Sequence, residues 1–556
     1  MAVETVTSKT SVLDQFHSFV VQKPDELFLI DAVNGSYTWS QALDRVRSIA
    51  ASLQAMLGKS GKRVSILADN SADWILTDLG IMMSGHVSAP LFTSMSADKF
   101  EYALTFLDVQ VLFLGPAANW EAVKDRVPSG VTIVALPSLE APLGAISYDE
   151  FLAMGKQHAS LNQPDIGALC CLILTSGTTG NPKAVMHSLR TLGHIAEAFS
   201  KINLQESLPE IRLLCHLPLA HIGEKVTVLQ ALSMGGNITV SRGPAYFFED
   251  LQAVQPTLAL GVPRIWERML QVAIERFAAN ADDFVAKLEQ DQDQAFRKEV
   301  VQFLGLSAAT CCISGGALSA PYIKDTFSLL GVEVLDFYGQ TEIVPLTSQR
   351  PGQRVSGSVG TVAPGFELKI GSDGEVIGRG AAVALGYFND EANTRKTFRE
   401  GWVYTGDKGV LDDDGNLFII GRMQDTFKTA KGKYVAPGPI ESLFAALAIT
   451  EQQVLVGLGL TQPVLVCTLS QGAVGLSDCD IEQGLLEETA SINAALEPHE
   501  RIGAILISRD IWTIESGLIT HTQKTVRNKV IELYAEQIAM AGDKLRNGSR
   551  DFVAWL

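Results

Sequence analysis

The chain reads as an α/β protein: a large N-terminal domain of parallel-type sheets with covering helices, carrying a small β-rich subdomain, followed by a smaller α+β C-terminal domain. Three observations predict this. Helical patterns alternate with short apolar runs over residues 13–156. After Gly352 the composition shifts to glycine-rich β segments. Past Gly421 and Arg422 enough chain remains for a compact lobe of its own. With 556 residues, the protein exceeds the size at which one core keeps growing, so at least two domains are required.

Residues 40–57 carry a helical apolar period, 63–69 form a buried apolar run, and 71–83 are helical again. Val109–Leu114 and residues 131–136 continue the alternation. That order predicts parallel strands covered by helices, with ligands at the strand ends. Residues 256–330 read as mostly helical: Pro263 opens an amphipathic stretch that continues through 282–303 as a covering layer. The β-rich subdomain, about 352–421, contains segments 357–366 and 417–420 separated by turn signals at Asp373-Gly374 and Asp414-Gly415. The boundary is placed at 423/424, giving domains 1–423 and 424–556 joined through Gln424-Asp425, a short connection that can act as a hinge.

Hydrophobic residues make up 47% and charged residues 19% of the chain, a globular balance. The net charge of -18 repels polyanions, and no basic patch offsets it, so nucleic acid is not an expected partner. A nucleotide site here must supply its own N–H groups, lysines or metal. Seven cysteines without C-x-x-C spacing read as buried reduced thiols. No secretory leader pattern is seen, and no apolar run approaches the ~20 residues that span a bilayer. The expectation is a cytoplasmic protein, compatible with peripheral membrane contact, whose oligomeric state stays open between monomer and homodimer.

The segment of densest chemistry is Thr175-Ser176-Gly177-Thr178-Thr179-Gly180-Asn181-Pro182-Lys183, which follows an apolar strand. Its glycines let the backbone approach a ligand closely, successive N–H groups can form an anion nest, the hydroxyls add donors and Lys183 adds charge. An ordinary Ser/Thr/Gly turn is the competing reading. The spacing is not G-x-x-x-x-G-K-[ST], which excludes the commoner P-loop architecture.

This loop resembles the T-S-G-T-T-G-x-P-K-G signature of the adenylate-forming superfamily, with Ala184 in place of the final glycine. Four further segments match that superfamily in order, and the resemblance covers about residues 13–540. Tyr338-Gly339-Gln340-Thr341-Glu342 is similar to Y-G-x-T-E, which implies that Tyr338 packs on adenine, Thr341 touches phosphate and Glu342 holds Mg²⁺, with Thr175 also near the metal. Asp336, just upstream, is included among the nucleotide-binding residues. Segment 401–407 resembles W-x-x-T-G-D, implying that Asp407 takes the ribose hydroxyls with Arg422 as companion. Gly315-Gly316-Ala317 resemble the segment flanking adenine, although a tight strand-to-helix turn would read the same way. Segment 517–524 is similar to L-T-P-T-x-K, with His521 replacing proline. That match implies that Lys524 neutralises the reacting carboxylate and phosphate.

Within the superfamily, segments 217–224, 256–268 and 425–441 look like the long-chain fatty acyl-CoA synthetases. The resemblance implies ATP, Mg²⁺ and CoA as cofactors, a carboxylic acid as substrate, and His221 beside the acyl carboxylate; a helix-start histidine with a satisfied hydrogen bond is the alternative there. It also implies a mobile C-terminal lobe that presents Gly432 to CoA, with Gln424 standing where the pivot is commonly Asp or Lys. Two other functions fit the motifs. One is an acyl-AMP ligase or aryl-acid ligase serving a carrier protein, an amine or another acceptor; the other is a nucleotide-sensing protein without turnover.

Overall fold

The computed structural model describes residues 11–156, 163–175, 182–203, 210–444, 449–514, 516–520 and 524–556. The chain divides into two compact units. The first comprises Met1–Gly316, Lys324–Lys369 and Ile377–Tyr404; the second comprises Ala317–Ile323, Ile370–Val376 and Thr405–Leu556.

Among its described residues the first unit contains two large mixed sheets. In one, Leu169–Thr175, Val87–Ser88, Arg63–Leu67, Val109–Leu114 and Thr132–Ala135 run parallel, while Lys183–Ser188 and then Gly386–Tyr387 extend the edge antiparallel. In the other, Leu27–Asp31, Asn237–Val240, Arg212–Cys215, Leu258–Gly261, Cys311–Ser314 and Val334–Gln340 are parallel. Antiparallel strands close both of its edges.

The connecting helices start where side chains cap them. Thr38 and Gln41 form a capping box at Trp39–Leu57, and the Ser71 hydroxyl accepts the Trp74 N–H at Ala72–Met83. Trp39 is buried and stacks on Phe28 with ring centroids 4.2 Å apart. The stretch expected to be mostly helical does hold Pro263–Phe277, Ala281–Gln290, Ala295–Phe303 and Pro321–Leu329, but it also contributes the central strands Leu258–Gly261 and Cys311–Ser314. Each is a four-residue apolar run, too short for periodicity to tell strand from helix. Within 357–366, expected as β, only Thr361–Val362 and the first residue of Phe366–Ile370 are strand. Gly360 there has φ +82°, and a Cβ would lie 2.1 Å from the Ser348 carbonyl carbon, so this position admits only glycine.

The second unit is an α+β lobe. Val464–Leu469, Ala504–Ser508 and Phe552–Trp555 run parallel, with Thr450–Val456 antiparallel at one edge. Alternate residues face opposite ways, so both sides of the sheet are apolar. Leu455, Leu465, Cys467, Ile505 and Ile507 pack with Ile481 and Leu485 of helix Asp478–Ala495. Val454, Val456, Val466 and Leu506 pack with Val530, Ala541 and Leu545 of helices Arg527–Leu533 and Ala535–Arg546.

Six cysteines are buried, while Cys479 is exposed, contrary to the expectation that all seven are interior. Burial pushes the Cys171, Cys312 and Cys467 thiols up to about 12, which keeps them protonated and unreactive. Among the described residues no helix is long and apolar enough to cross a membrane.

Candidate active site

Leu169–Thr175 and Lys183–Ser188 pair as a hairpin with Thr175 opposite Lys183, so the phosphate-type segment joins two antiparallel strands rather than a strand and a helix. Thr175 and Lys183 are half-buried, and the Thr175 hydroxyl donates to the Lys183 carbonyl at 3.4 Å. Ser176, Gly177, Thr178 and Thr179 lie outside the described residues, as do His521 and Thr522.

Tyr338, Gly339 and Gln340 end the strand Val334–Gln340, and Thr341 and Glu342 form the two-residue turn into Ile343–Ser348. Gly339 is required by close approach: a Cβ would sit 2.8 Å from the Ile343 carbonyl oxygen. Thr341 is buried, whereas Glu342 is half-buried. The Tyr387 hydroxyl donates to Glu342 Oε1 at 2.6 Å, and the Lys183 ammonium lies over the Tyr387 ring, 4.9 Å from its centroid. Burial, then the Glu342 charge, pushes the Tyr387 phenol up, so it remains a proton donor. The first unit thus brings Lys183 and Glu342 to one tyrosine that no motif marks.

Gly315 follows Cys311–Ser314 and abuts Phe337, where a Cβ would meet the ring at 2.3 Å; Gly316 turns the chain with φ +85°. Ala317 comes next and is exposed. Asp336 is buried and ion-paired with the buried Lys324 ammonium. Desolvation raises its carboxyl while Lys324 opposes the rise.

His221 is the N-cap of helix Ile222–Ser233, and its Nδ1 accepts the Gly223 N–H at 3.1 Å. One ring nitrogen is therefore engaged by the helix start. The segment leading to it is held from elsewhere in the same unit. Asn70 Nδ2 donates to the Leu217 carbonyl at 2.7 Å and its Oδ1 accepts the Leu219 N–H at 3.1 Å. Glu224 Oε1 accepts the His216 N–H at 2.9 Å. Burial raises the Glu224 carboxyl to about 7, against hydrogen bonds that lower it. Neither Asn70 nor Glu224 has a local sequence signal as an anchor.

The second unit assembles the remaining charged residues. Trp402–Leu411 pairs antiparallel with Leu417–Arg422 so that Asp407 stands opposite Arg422. Their side chains form an ion pair, Nε to Oδ1 at 2.9 Å, with Asp407 5% exposed. Lys524 belongs to the same group: desolvation, then the Arg422 charge, lowers its pKa to about 8, opposed by Asp407. The Lys524 side chain is exposed. Thr520 holds its backbone, with the Lys524 N–H donating to the Thr520 hydroxyl at 3.0 Å and the Thr520 N–H to the Lys524 carbonyl at 2.7 Å. Gly432 lies in the turn before Tyr434–Val435 with φ +78°. Gln424 is exposed.

The fold is that of adenylation domains. The A domain of a carboxylic acid reductase from Segniliparus rugosus, solved with AMP and a co-purified carboxylic acid, superposes with a TM-score of 0.81 at 19% identity, covering 97% of this chain and 95% of that one. The adenylation domain of a Mycobacterium chelonae carboxylate reductase gives 0.82 at 21% identity, with 96% and 91% covered. Residues 16–388 match the family described as AMP-binding enzyme and residues 424–545 match the AMP-binding enzyme C-terminal domain; the chain belongs to this family. It is similar to the long-chain-fatty-acid–CoA ligase FadD15 of Mycobacterium tuberculosis, 27% identical over 575 residues, with 92% of this chain and 93% of that one covered. It is also similar to human long-chain-fatty-acid–CoA ligase 1, 25% identical over 543 residues, with 85% and 77% covered.

Proposed function

We propose that this enzyme uses ATP to convert a long- or medium-chain fatty acid to its acyl-adenylate and then transfers the acyl group to CoA. Two groupings support activation: Asp407, Arg422 and an electrostatically perturbed Lys524 within the second unit, and Lys183 and Glu342 around Tyr387 within the first. The fatty acid and CoA are supported by relatives named as long-chain-fatty-acid–CoA ligases that match over 92% of this chain.

In the first step a carboxylate oxygen attacks the α-phosphorus and pyrophosphate leaves. Both reactants are anionic, so charge repulsion is the obstacle. Lys524 offsets charge on the reacting oxygens, and Lys183 with Thr175, Ser176, Gly177, Thr178 and Thr179 grips the phosphates. Asp407, with Arg422, takes the ribose hydroxyls, while Tyr338, Gly339, Gln340, Gly315, Gly316 and Ala317 border the base, and Thr341 touches phosphate. Asp336 shapes the base side through its pair with Lys324 rather than through a free carboxylate. In the second step the CoA sulfur, having lost its proton, attacks the acyl carbon and AMP leaves; Gly432 lies on the surface that receives CoA, and His221 borders the acid.

Among the described residues no group of three or more His, Cys, Asp or Glu could form an all-protein metal cage. Glu342, with Thr175 beside the phosphates, offers hard oxygen donors of the kind Mg²⁺ takes alongside phosphate and water, so the residues fit that ion. When bound, Mg²⁺ supplies positive charge against the polyphosphate.

Incubation with ATP, Mg²⁺, CoA and a panel of fatty, aryl and short acids, read by mass spectrometry, tests this reading. Acyl-CoA, AMP and pyrophosphate with at least one long or medium fatty acid is the expected result. Acyl-AMP without thioester would reject the CoA step, and thioester from aryl acids alone would reject the fatty substrate.

A further inference from the structure

Tyr387 belongs to the two-residue strand Gly386–Tyr387, which pairs with Val185 and Met186 of the strand leaving the phosphate segment. Its ring is buried with Val185, Ala384 and Phe398, the last edge-on at 5.7 Å. Its own N–H donates to the Thr394 hydroxyl at 2.9 Å. The Glu342 turn is tied to the same stretch of chain, since the Ala384 N–H donates to the Glu342 carbonyl at 2.9 Å and Ile343 bridges Val383. The ring is therefore held by strand pairing and packing, and its contacts with Glu342 and Lys183 are made from a fixed base. Packing alone would be served equally by phenylalanine. The hydroxyl's polar contacts are what packing does not explain: it donates to Glu342 Oε1 at 2.6 Å and also hydrogen-bonds the Thr397 side chain.

We propose that Tyr387 is a positioning residue for the nucleotide site: its hydroxyl fixes the Glu342 carboxylate through Oε1, and its ring seats the Lys183 ammonium. One side chain then sets the spacing between the acidic and the basic group that flank the phosphates, and Oε2 is left as the carboxylate oxygen that does not receive the phenol. The proposal rests on the reading of Glu342 and Lys183 as nucleotide-site residues. It assigns separable tasks to the two parts of the side chain.

The full-length enzyme with a non-hydrolysable ATP analogue is titrated with Mn²⁺ by electron paramagnetic resonance, without turnover, alongside adenylation kinetics and thermal melting. Tyr387→Phe keeps the ring and is expected to melt as the wild type while binding Mn²⁺ about 10–100-fold more weakly, the range for loss of an outer partner of a metal ligand. Its KM for ATP should change little. Tyr387→Leu also removes the seat of Lys183 and is expected to raise the KM for ATP as well. Wild-type Mn²⁺ affinity in a folded Tyr387→Phe overturns the proposal; should that variant not fold, wild-type Mn²⁺ affinity in Tyr387→Leu does so. Glu342→Gln separates the role of Tyr387 from that of Glu342. If it weakens Mn²⁺ binding while Tyr387→Phe does not, only the positioning role falls; if neither it nor Tyr387→Phe has any effect, the reading of Glu342 falls too.

Discussion

Lys524 is the residue whose environment says most about its task. An ordinary surface lysine stays charged far above neutral pH, whereas desolvation, then the Arg422 charge, lowers this ammonium below that range, with Asp407 opposing. The protonated form is the one that can offset charge on a carboxylate and a phosphate, and it prevails below the lowered pKa. The adenylation rate is therefore expected to fall with rising pH below the range in which an ordinary lysine titrates, and Lys524→Ala is expected to remove that limb of the profile. A wild-type profile flat to pH 10 would contradict the role. The position of Lys524 is legible in the sequence from its motif, and so is the companionship of Asp407 and Arg422. The shift itself is not, because it arises from atoms that come together only after folding. Tyr387 shows the same limit: its partners Lys183 and Glu342 are remote in sequence, and nothing local distinguishes it from a core aromatic.

At the scale of elements, the segment between strand Arg212–Cys215 and helix Ile222–Ser233 carries His221 yet has no regular structure to hold it. Asn70 compensates with one donor and one acceptor bond to its backbone. Removing both leaves polar groups unpaired, a cost of about 1–3 kcal/mol. Asn70→Ala is thus expected to lower kcat/KM for the acid by about tenfold, the equivalent of 1.4 kcal/mol, with the KM for ATP nearly unchanged; an equal effect on both substrates would assign Asn70 to general stability. The amphipathic helices and Val109–Leu114 are readable because their periods repeat over enough residues. The strands Leu258–Gly261 and Cys311–Ser314 are not, being short and apolar on both faces. The hairpin return of Lys183 is likewise hidden, since its outer pairing with Gly386–Tyr387 joins segments about two hundred residues apart.

For the whole molecule, a net charge of -18 places an acidic protein in the business of holding polyphosphate, which requires concentrated local cations and donors. In the proposed function that task is assigned to Lys183, Arg422 and Lys524. More than one domain is expected from length, and a separate C-terminal lobe from the chain that remains past Gly421 and Arg422; the family matches to residues 16–388 and 424–545 run in that order. Acid activation by ATP is tested most directly by acid-dependent exchange of labelled pyrophosphate into ATP, which needs neither CoA nor knowledge of the final acceptor. Exchange with at least one fatty acid is expected, reduced about 10²–10³-fold in Lys524→Ala, the magnitude of losing one charge-stabilising donor, while ATP binding persists. No exchange with any fatty, aryl or short acid, or undiminished exchange in Lys524→Ala, would contradict it.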